Sequence, residues 1–325
     1  MARVLLCGWF SFVHGEATAG DVLSLDAVRH RVQEAGIPHD VAWSPVMRPP
    51  GGVLLEEVDP ADYSEVVFVC GPAHGDPVRW LHDRFPRSRR LAVNVTVIDP
   101  EDPAVAGFDA VLARDAPGLP PRTDLAVVPK PPEVPVVGVV LAEGQGEYGD
   151  RRRHRTVSAA LTSWLGERDL SRVPLETRLD PRDWRLADNP AQSEALVRRL
   201  DAVVTTRLHG LVLALKHGVP ALAVDPVAGG GKVSAQAAAW GWPAVVAADA
   251  AEPELLDTTL GWCLSEDGTR AAQRCAADAA ERAPALLDRL LEMLTTPPDR
   301  APSGRDVRTA EGAPANLDRD AQLEL

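Results

Sequence analysis

The sequence predicts an α/β protein of two Rossmann-like lobes, each a parallel sheet flanked by helices, with a cleft between them. Two observations carry this. Apolar runs of strand length alternate with helix-like segments along most of the chain, the pattern that builds parallel sheets covered on both faces. The alternation starts over near Val134, just after the stiff joint Lys130-Pro131-Pro132. The expected boundaries are residues 1–130, residues 131–295, and a tail, 296–325, that mixes Pro, Gly, Ala and both charges without periodicity and reads as disordered.

In the first lobe, Val4 to Trp9 reads as a buried strand rather than as a leader, although Ala17-Thr18-Ala19 mimics a cleavage site. Gly20-Asp21 opens a helix to about Ala35, with Asp21 as its N-cap and Leu25, Val28 and Val32 on one face. Asp40 to Ser44, Val66 to Cys70, Leu91 to Ile98 and Asp109 to Ala113 are further strands, with a helix around Trp80 and Leu81. In the second lobe, strands are expected at Val136 to Ala142, Val173 to Thr177, Ala202 to Thr205, Ala221 to Val224 and Ala244 to Ala247. Helices are expected over Arg151 to Leu165, Ser193 to Leu200, Leu208 to His217, Glu252 to Leu264 and Thr269 to Leu294.

The 325 residues carry a net charge of −13, which argues against nucleic acid or an anionic membrane surface as a partner. No run is apolar for long enough to span a bilayer. The four cysteines form no CxxC pair, and no Cys/His cluster has zinc spacing, so no metal is signalled and a reducing cytoplasm fits best. Any anionic ligand must be met by a few placed cations. Lysine is scarce, only Lys130, Lys216 and Lys232, while arginine is abundant. Lys232 follows three glycines, an unusual place to keep one of three lysines.

Two motifs carry chemistry. TTRLHG, Thr205 to Gly210, sits where an apolar strand becomes a helix. Thr206 reads as the N-cap, which places Arg207 and His209 in the first turn. Arginine is a planar fork for carboxylate or phosphate, and the positive helix end favours an anion and a neutral imidazole base. The alternative is Arg207 paired with an internal carboxylate and His209 as a cap. GGGK, Gly229 to Lys232, offers close backbone approach at Gly230 and Gly231 and a point charge at Lys232. It is not a Walker A loop, since Pro226 and Val233 stand where that pattern needs Gly and Ser or Thr. A flexible loop with an exposed lysine is the alternative.

Weaker signals surround these. GQGEYG, Gly144 to Gly149, satisfies a dinucleotide fingerprint, with Glu176 as the acidic partner on the next strand. A glycine turn lining the cleft is the other reading, because Glu147 and Asp150 would meet the pyrophosphate. Arg114-Asp115 ends a strand and could face the cleft. His14 and Glu16 lie in the first loop. Arg151 to Arg153, His154 and Arg155 read as a solvated helix face. Trp240 and Trp242 could stack on a sugar or pack beneath the glycine loop.

The stretch DAVVTTRLHGLVLALKHGVPALAVDPVAGGGKVSAQAAAWGWP, Asp201 to Pro243, resembles the polysaccharide pyruvyl transferase family. Gly20-Asp21 and Arg114-Asp115 add support. The resemblance implies a glycosyltransferase-B-like architecture with an acceptor side in the first lobe and a donor side in the second. It implies transfer of an enolpyruvyl-derived group from phosphoenolpyruvate, as co-substrate and with no other cofactor, to two hydroxyls of a sugar or glycoside. By the resemblance Arg207, His209, Lys232 and Arg114 would be the functional set, with Arg207 and His209 catalytic; Asp21, Gly230 and Gly231 are expected beside Arg114 and Lys232 as substrate-binding residues. The early loop, the segment Val127 to Pro132 and the opening GVVLAEGQG depart from the family pattern, which leaves the acceptor open. A transferase using a nucleotide-sugar donor and a non-catalytic binder of anionic metabolites remain as alternatives.

Overall fold

The structure is a computed structural model and describes residues 3–15, 17–128, 133–142, 144, 146–282 and 284–296. The Lys130-Pro131-Pro132 joint, Glu16, Gln145 and the tail beyond residue 296 lie outside them. The chain divides into two compact units, Met1–Pro132 and Glu133–Leu325.

The first unit runs β1 (Val4–Cys7), α1 (Ala19–Glu34), β2 (His39–Trp43), β3 (Val53–Leu54), β4 (Glu65–Val69), α2 (Gly75–Arg84), β5 (Arg89–Thr96), α3 (Pro103–Ala106) and β6 (Ala110–Asp115). Its six strands are all parallel, in the order β3-β2-β1-β4-β5-β6. β1 is buried at every position because a central parallel strand is covered on both faces. Phe68, Val78, Leu81, Phe85 and Phe108 fill the space between sheet and helices. β3 had no sequence signal: two residues are too few for periodicity.

The second unit runs β7 (Val136–Val140), α4 (His154–Gly166), β8 (Ser171–Pro174), α5 (Pro190–Val197), β9 (Ala202–Thr205), α6 (Leu208–Lys216), β10 (Ala221–Asp225), α7 (Lys232–Trp240), β11 (Val245–Ala247), α8 (Pro253–Cys263), α9 (Glu266–Arg282) and α10 (Pro284–Thr295). Its five strands are parallel, in the order β11-β10-β9-β7-β8. α4 buries Val157, Leu161, Trp164 and Leu165, and α6 buries Leu211, Ala214 and Leu215, both at helical spacing against the sheet. Each such leucine removed from water stabilises the fold by about 1.5–3 kcal/mol.

Several local expectations are corrected. The N-cap of α1 is Thr18, not Asp21. Its hydroxyl accepts from the Asp21 amide at 3.3 Å, and the Asp21 carboxylate accepts from the Thr18 amide at 2.9 Å, a reciprocal capping box. α4 begins three residues later than expected, after a tight turn through Gly146–Arg151. α5 starts and ends earlier because Asn189 caps it and Pro190 is pre-set for the first helical position. The helical stretch expected over Thr269 to Leu294 is described as α9 from Glu266 and α10 to Thr295. Trp242 is core: its indole N–H donates to the Ala221 carbonyl at 2.7 Å and its ring meets Trp262 at 5.3 Å, which settles packing over sugar stacking.

Candidate functional site

In the second unit, connections diverge at the neighbouring strands β7 and β9: β7 leads to β8 on one side and β9 to β10 on the other. Open parallel sheets bind ligands at the carboxyl ends of the strands flanking such a point. A cavity of about 350 Å³ lies there, lined by Ala142 and Gly144 after β7, Thr177 and Arg178 after β8, Thr206 to His209 after β9, and Lys232 at the start of α7. Arg207, His209 and Lys232, singled out from two separate motifs, therefore share one cavity.

The turn from β9 to α6 is rigid. The Arg207 amide donates to the Thr205 hydroxyl at 2.9 Å, and the Ala142 amide donates to the Thr206 hydroxyl at 2.7 Å, tying β9 to the end of β7. This corrects the cap: Arg207 itself holds the N-cap position with extended backbone, and Thr206 is a cross-strand tie. Gly210 is demanded by packing. A Cβ there would lie 2.2 Å from the Thr205 hydroxyl oxygen and 3.3 Å from Val140 Cβ.

Arg207 is paired internally, as the alternative reading held. Its Nε donates to the Leu141 carbonyl at 3.0 Å, and its two terminal nitrogens meet the Glu176 carboxylate at 3.1 and 3.2 Å. Arg178, unforeseen, joins the same carboxylate at 3.3 Å. His209 is exposed on the second residue of α6 and makes no hydrogen bond among the described residues.

The glycine loop carries a surprise at Asp225, the last residue of β10, a carboxylate only 1% exposed. Its Oδ2 accepts from the Gly231 amide at 2.7 Å and the Ser234 amide at 2.8 Å, and its Oδ1 from the Val227 amide at 3.1 Å. The Gly230 amide donates to the Val227 carbonyl at 2.9 Å. An internal carboxylate thus occupies the anion position at the start of α7. Gly230 and Gly231 do not line the cavity, and their amides are engaged. Gly230 (φ 85°) lets the chain turn, and Lys232 is presented at the helix start.

In the first unit, connections diverge at β1 and β4. A cavity of about 680 Å³ lies at their carboxyl ends, lined among others by Trp9, His14, Asp21, Cys70, Arg114 and Asp124. Arg114 Nε donates to Asp115 at 2.8 Å, its terminal nitrogens to Asp124 and to the Thr96 hydroxyl. Burial opposes ionisation of Asp124, but the Ala126 amide, Arg114, Asn94 and Ser24 outweigh it and hold the carboxyl at about 2. Asn94 and Cys70, both beside this network, are the non-glycine residues with positive φ (60° and 65°) among the described residues, backbone strain of the kind that collects at binding sites. Asp21 borders the cavity and is mostly consumed in capping α1.

Residues 149–226 match the polysaccharide pyruvyl transferase family. The match contains Arg207, His209, Glu176 and Asp225 and ends just before the glycine loop. No curated protein matches the chain. Among solved structures it is similar to the spinosyn forosaminyltransferase SpnP, at 14% identity over 91% of this chain and 100% of that one, TM-score 0.34. It is also similar to the glycosyltransferase SnogD from Streptomyces nogalater (15%, 90% and 99%, TM-score 0.31) and to MurG of Acinetobacter baumannii (11%, 89% and 100%, TM-score 0.29). The architecture described above rests on the strand pairings alone.

The dinucleotide reading loses its acidic partner, because Glu176 is committed to Arg207 and Arg178. The stretch from Gly149 instead docks on the loop after β10, with the Arg153 amide donating to the Pro226 carbonyl at 2.9 Å and the Ala228 amide to the Arg151 carbonyl at 2.8 Å. His154 is not part of a solvated face: it is 1% exposed, behind Tyr148 at 6.5 Å. Among the described residues no group of three His, Cys, Asp or Glu side chains could hold a metal ion, and no helix is long and apolar enough to cross a membrane. The roles of Glu176, Arg178, Asp225 and Asp124 were missed by sequence reasoning. Only Asp225, one strand-end before three glycines, left a readable signal.

Proposed function

We propose that the protein transfers the enolpyruvyl-derived group of phosphoenolpyruvate to two hydroxyls of a sugar or glycoside, forming a cyclic pyruvate ketal and releasing phosphate. The observation that carries this is one cavity bearing Arg207, Arg178, Lys232 and His209, the first two and His209 within residues 149–226, which match the pyruvyl transferase family. Phosphoenolpyruvate presents a phosphate and a carboxylate, and a protein of net charge −13 needs local cations to hold them.

The chemistry assigns the work. A proton adds to the methylene carbon, leaving an oxocarbenium-like centre. The first sugar hydroxyl attacks that centre as it loses its proton. Phosphate leaves with the C–O bond, and the second hydroxyl closes the ring while its proton passes to phosphate or solvent. Arg207 and Lys232 hold the anionic groups and steady the departing phosphate. His209, with no hydrogen-bond partner among the described residues, carries the proton in and out. Gly230 and Gly231 shape the loop that presents Lys232. In the first unit, the cavity with Arg114 and Asp21 receives the hydroxylated acceptor. Phosphoenolpyruvate is the co-substrate, no further cofactor is needed, and the reaction belongs in the cytoplasm, the compartment of this donor.

The test is incubation with phosphoenolpyruvate and a panel of glycosides, following phosphate release and mass gain on the acceptor. Release coupled to ketal formation is the expected result. Tight nucleotide-sugar binding without release for any acceptor would overturn it in favour of a nucleotide-sugar transferase.

A further inference from the structure

We propose that Glu176 is a positioning residue that sets the orientation of Arg207 before any ligand arrives. The inference rests on the reading of the second unit's cavity as an anion site. The arrangement spans three adjacent strand ends. β9 supplies Arg207, the end of β7 supplies the Leu141 carbonyl to its Nε at 3.0 Å, and the chain two residues past β8 supplies the Glu176 carboxylate to both terminal nitrogens. A guanidinium has five N–H groups. At most three are engaged here, the Nε–H and one on each terminal nitrogen, so each terminal nitrogen keeps one N–H. A flexible cation has become a fixed planar group whose remaining donors are single N–H groups on opposite edges of the plane.

Glu176 is itself held. Its Oε1 accepts from the Thr177 and Arg178 amides at 2.8 and 3.0 Å, and its Oε2 meets Arg178 Nε at 3.3 Å. Both side chains of the pair are about four-fifths withdrawn from solvent (24% and 20% exposed), unlike a screened surface pair. The cost of ordering Arg207 is met in folding rather than in binding, which favours a tight, geometrically selective anion contact.

The experiment reads Arg207 directly. Its Nε–H NMR signal in the full-length protein, assigned by its disappearance in Arg207→Lys, is expected to be sharp and slow to exchange. In Glu176→Gln it should broaden or exchange freely. Phosphoenolpyruvate binding by calorimetry should weaken roughly 10–100-fold in Glu176→Gln, the usual scale when an orienting partner is removed. The double variant with Arg207→Lys should bind no worse than Arg207→Lys alone, because Glu176 acts through Arg207. A residue that merely braces the 177–178 loop would give additive losses and leave the Nε–H signal unchanged. Either result overturns the proposal. Failure of the wild type to turn over phosphoenolpyruvate, with the signal still dependent on Glu176, would remove the proposed function and leave the positioning role standing.

Discussion

Asp225 Oδ2 accepts a 2.7 Å hydrogen bond from the Gly231 amide, so the first anion met by the glycine loop is the protein's own carboxylate. The loop is a mount for Lys232 rather than a backbone cradle for phosphate. Asp225→Asn keeps the volume and replaces an acceptor with a donor facing amides that also donate. Leaving buried amides unsatisfied costs about 1–3 kcal/mol. The urea midpoint should fall accordingly, and inorganic phosphate should bind more weakly. An unchanged midpoint would show that those amides find other acceptors.

Gly210 separates α6 from β9 by the width of a hydrogen atom. Gly210→Ala forces a methyl against Thr205, whose hydroxyl also receives the Arg207 amide. The expected loss is about 1–3 kcal/mol, the scale of overpacking in a filled core. Chemical denaturation checks it, and an unaffected stability would mean that the helix can shift outward without penalty.

His209 and Lys232 share the cavity but should fail differently. His209→Ala removes proton transfer and should lower kcat by roughly 10²–10⁴-fold with little change in the phosphoenolpyruvate KM. Lys232→Ala removes a charged hydrogen bond of about 1.5–3 kcal/mol. It should raise that KM by roughly 10–100-fold. Steady-state kinetics with a working acceptor separate the two, and a KM defect in His209→Ala would reassign the histidine to binding.

Two buried histidines set a pH limit on stability. Burial, then the Arg152 cation, pushes the His154 imidazole below its ordinary pKa, and burial does the same to His82 against the pull of the Ala104 carbonyl. A lowered folded pKa means that the unfolded chain takes up protons first as pH falls. Stability should therefore be level above about pH 6.5 and decline below it. Urea midpoints at pH 7.5 and 5.5 read the slope, and His154→Gln, which cannot be protonated in this range, should flatten it. An equal slope in that variant would assign the effect elsewhere.

The alternation of strands and helices was legible because central parallel strands are uniformly apolar and the helices over them keep a 3.6-residue spacing, as in α6 with Leu211, Ala214 and Leu215. Helix ends were less legible. Thr18 and Asp21 divide one cap between them, and local sequence suits either as the leading residue. Thr206 looked like a cap and became a cross-strand tie, because its hydroxyl meets an amide 64 positions away. His154 looked solvated among arginines and is buried, since the turn before it folds onto the loop after β10.

The chain's composition and order determined two parallel α/β units, an acidic surface and a handful of cations at strand ends, since these follow from periodicity and local residue chemistry. Tertiary structure alone decided which carboxylate each cation meets. Glu176 reaches Arg207 from 31 positions away, and Asp124 reaches Arg114 from a loop that follows its strand. Such pairings depend on which strands lie side by side, and the strand order β8-β7-β9 is a consequence of packing that no local pattern encodes.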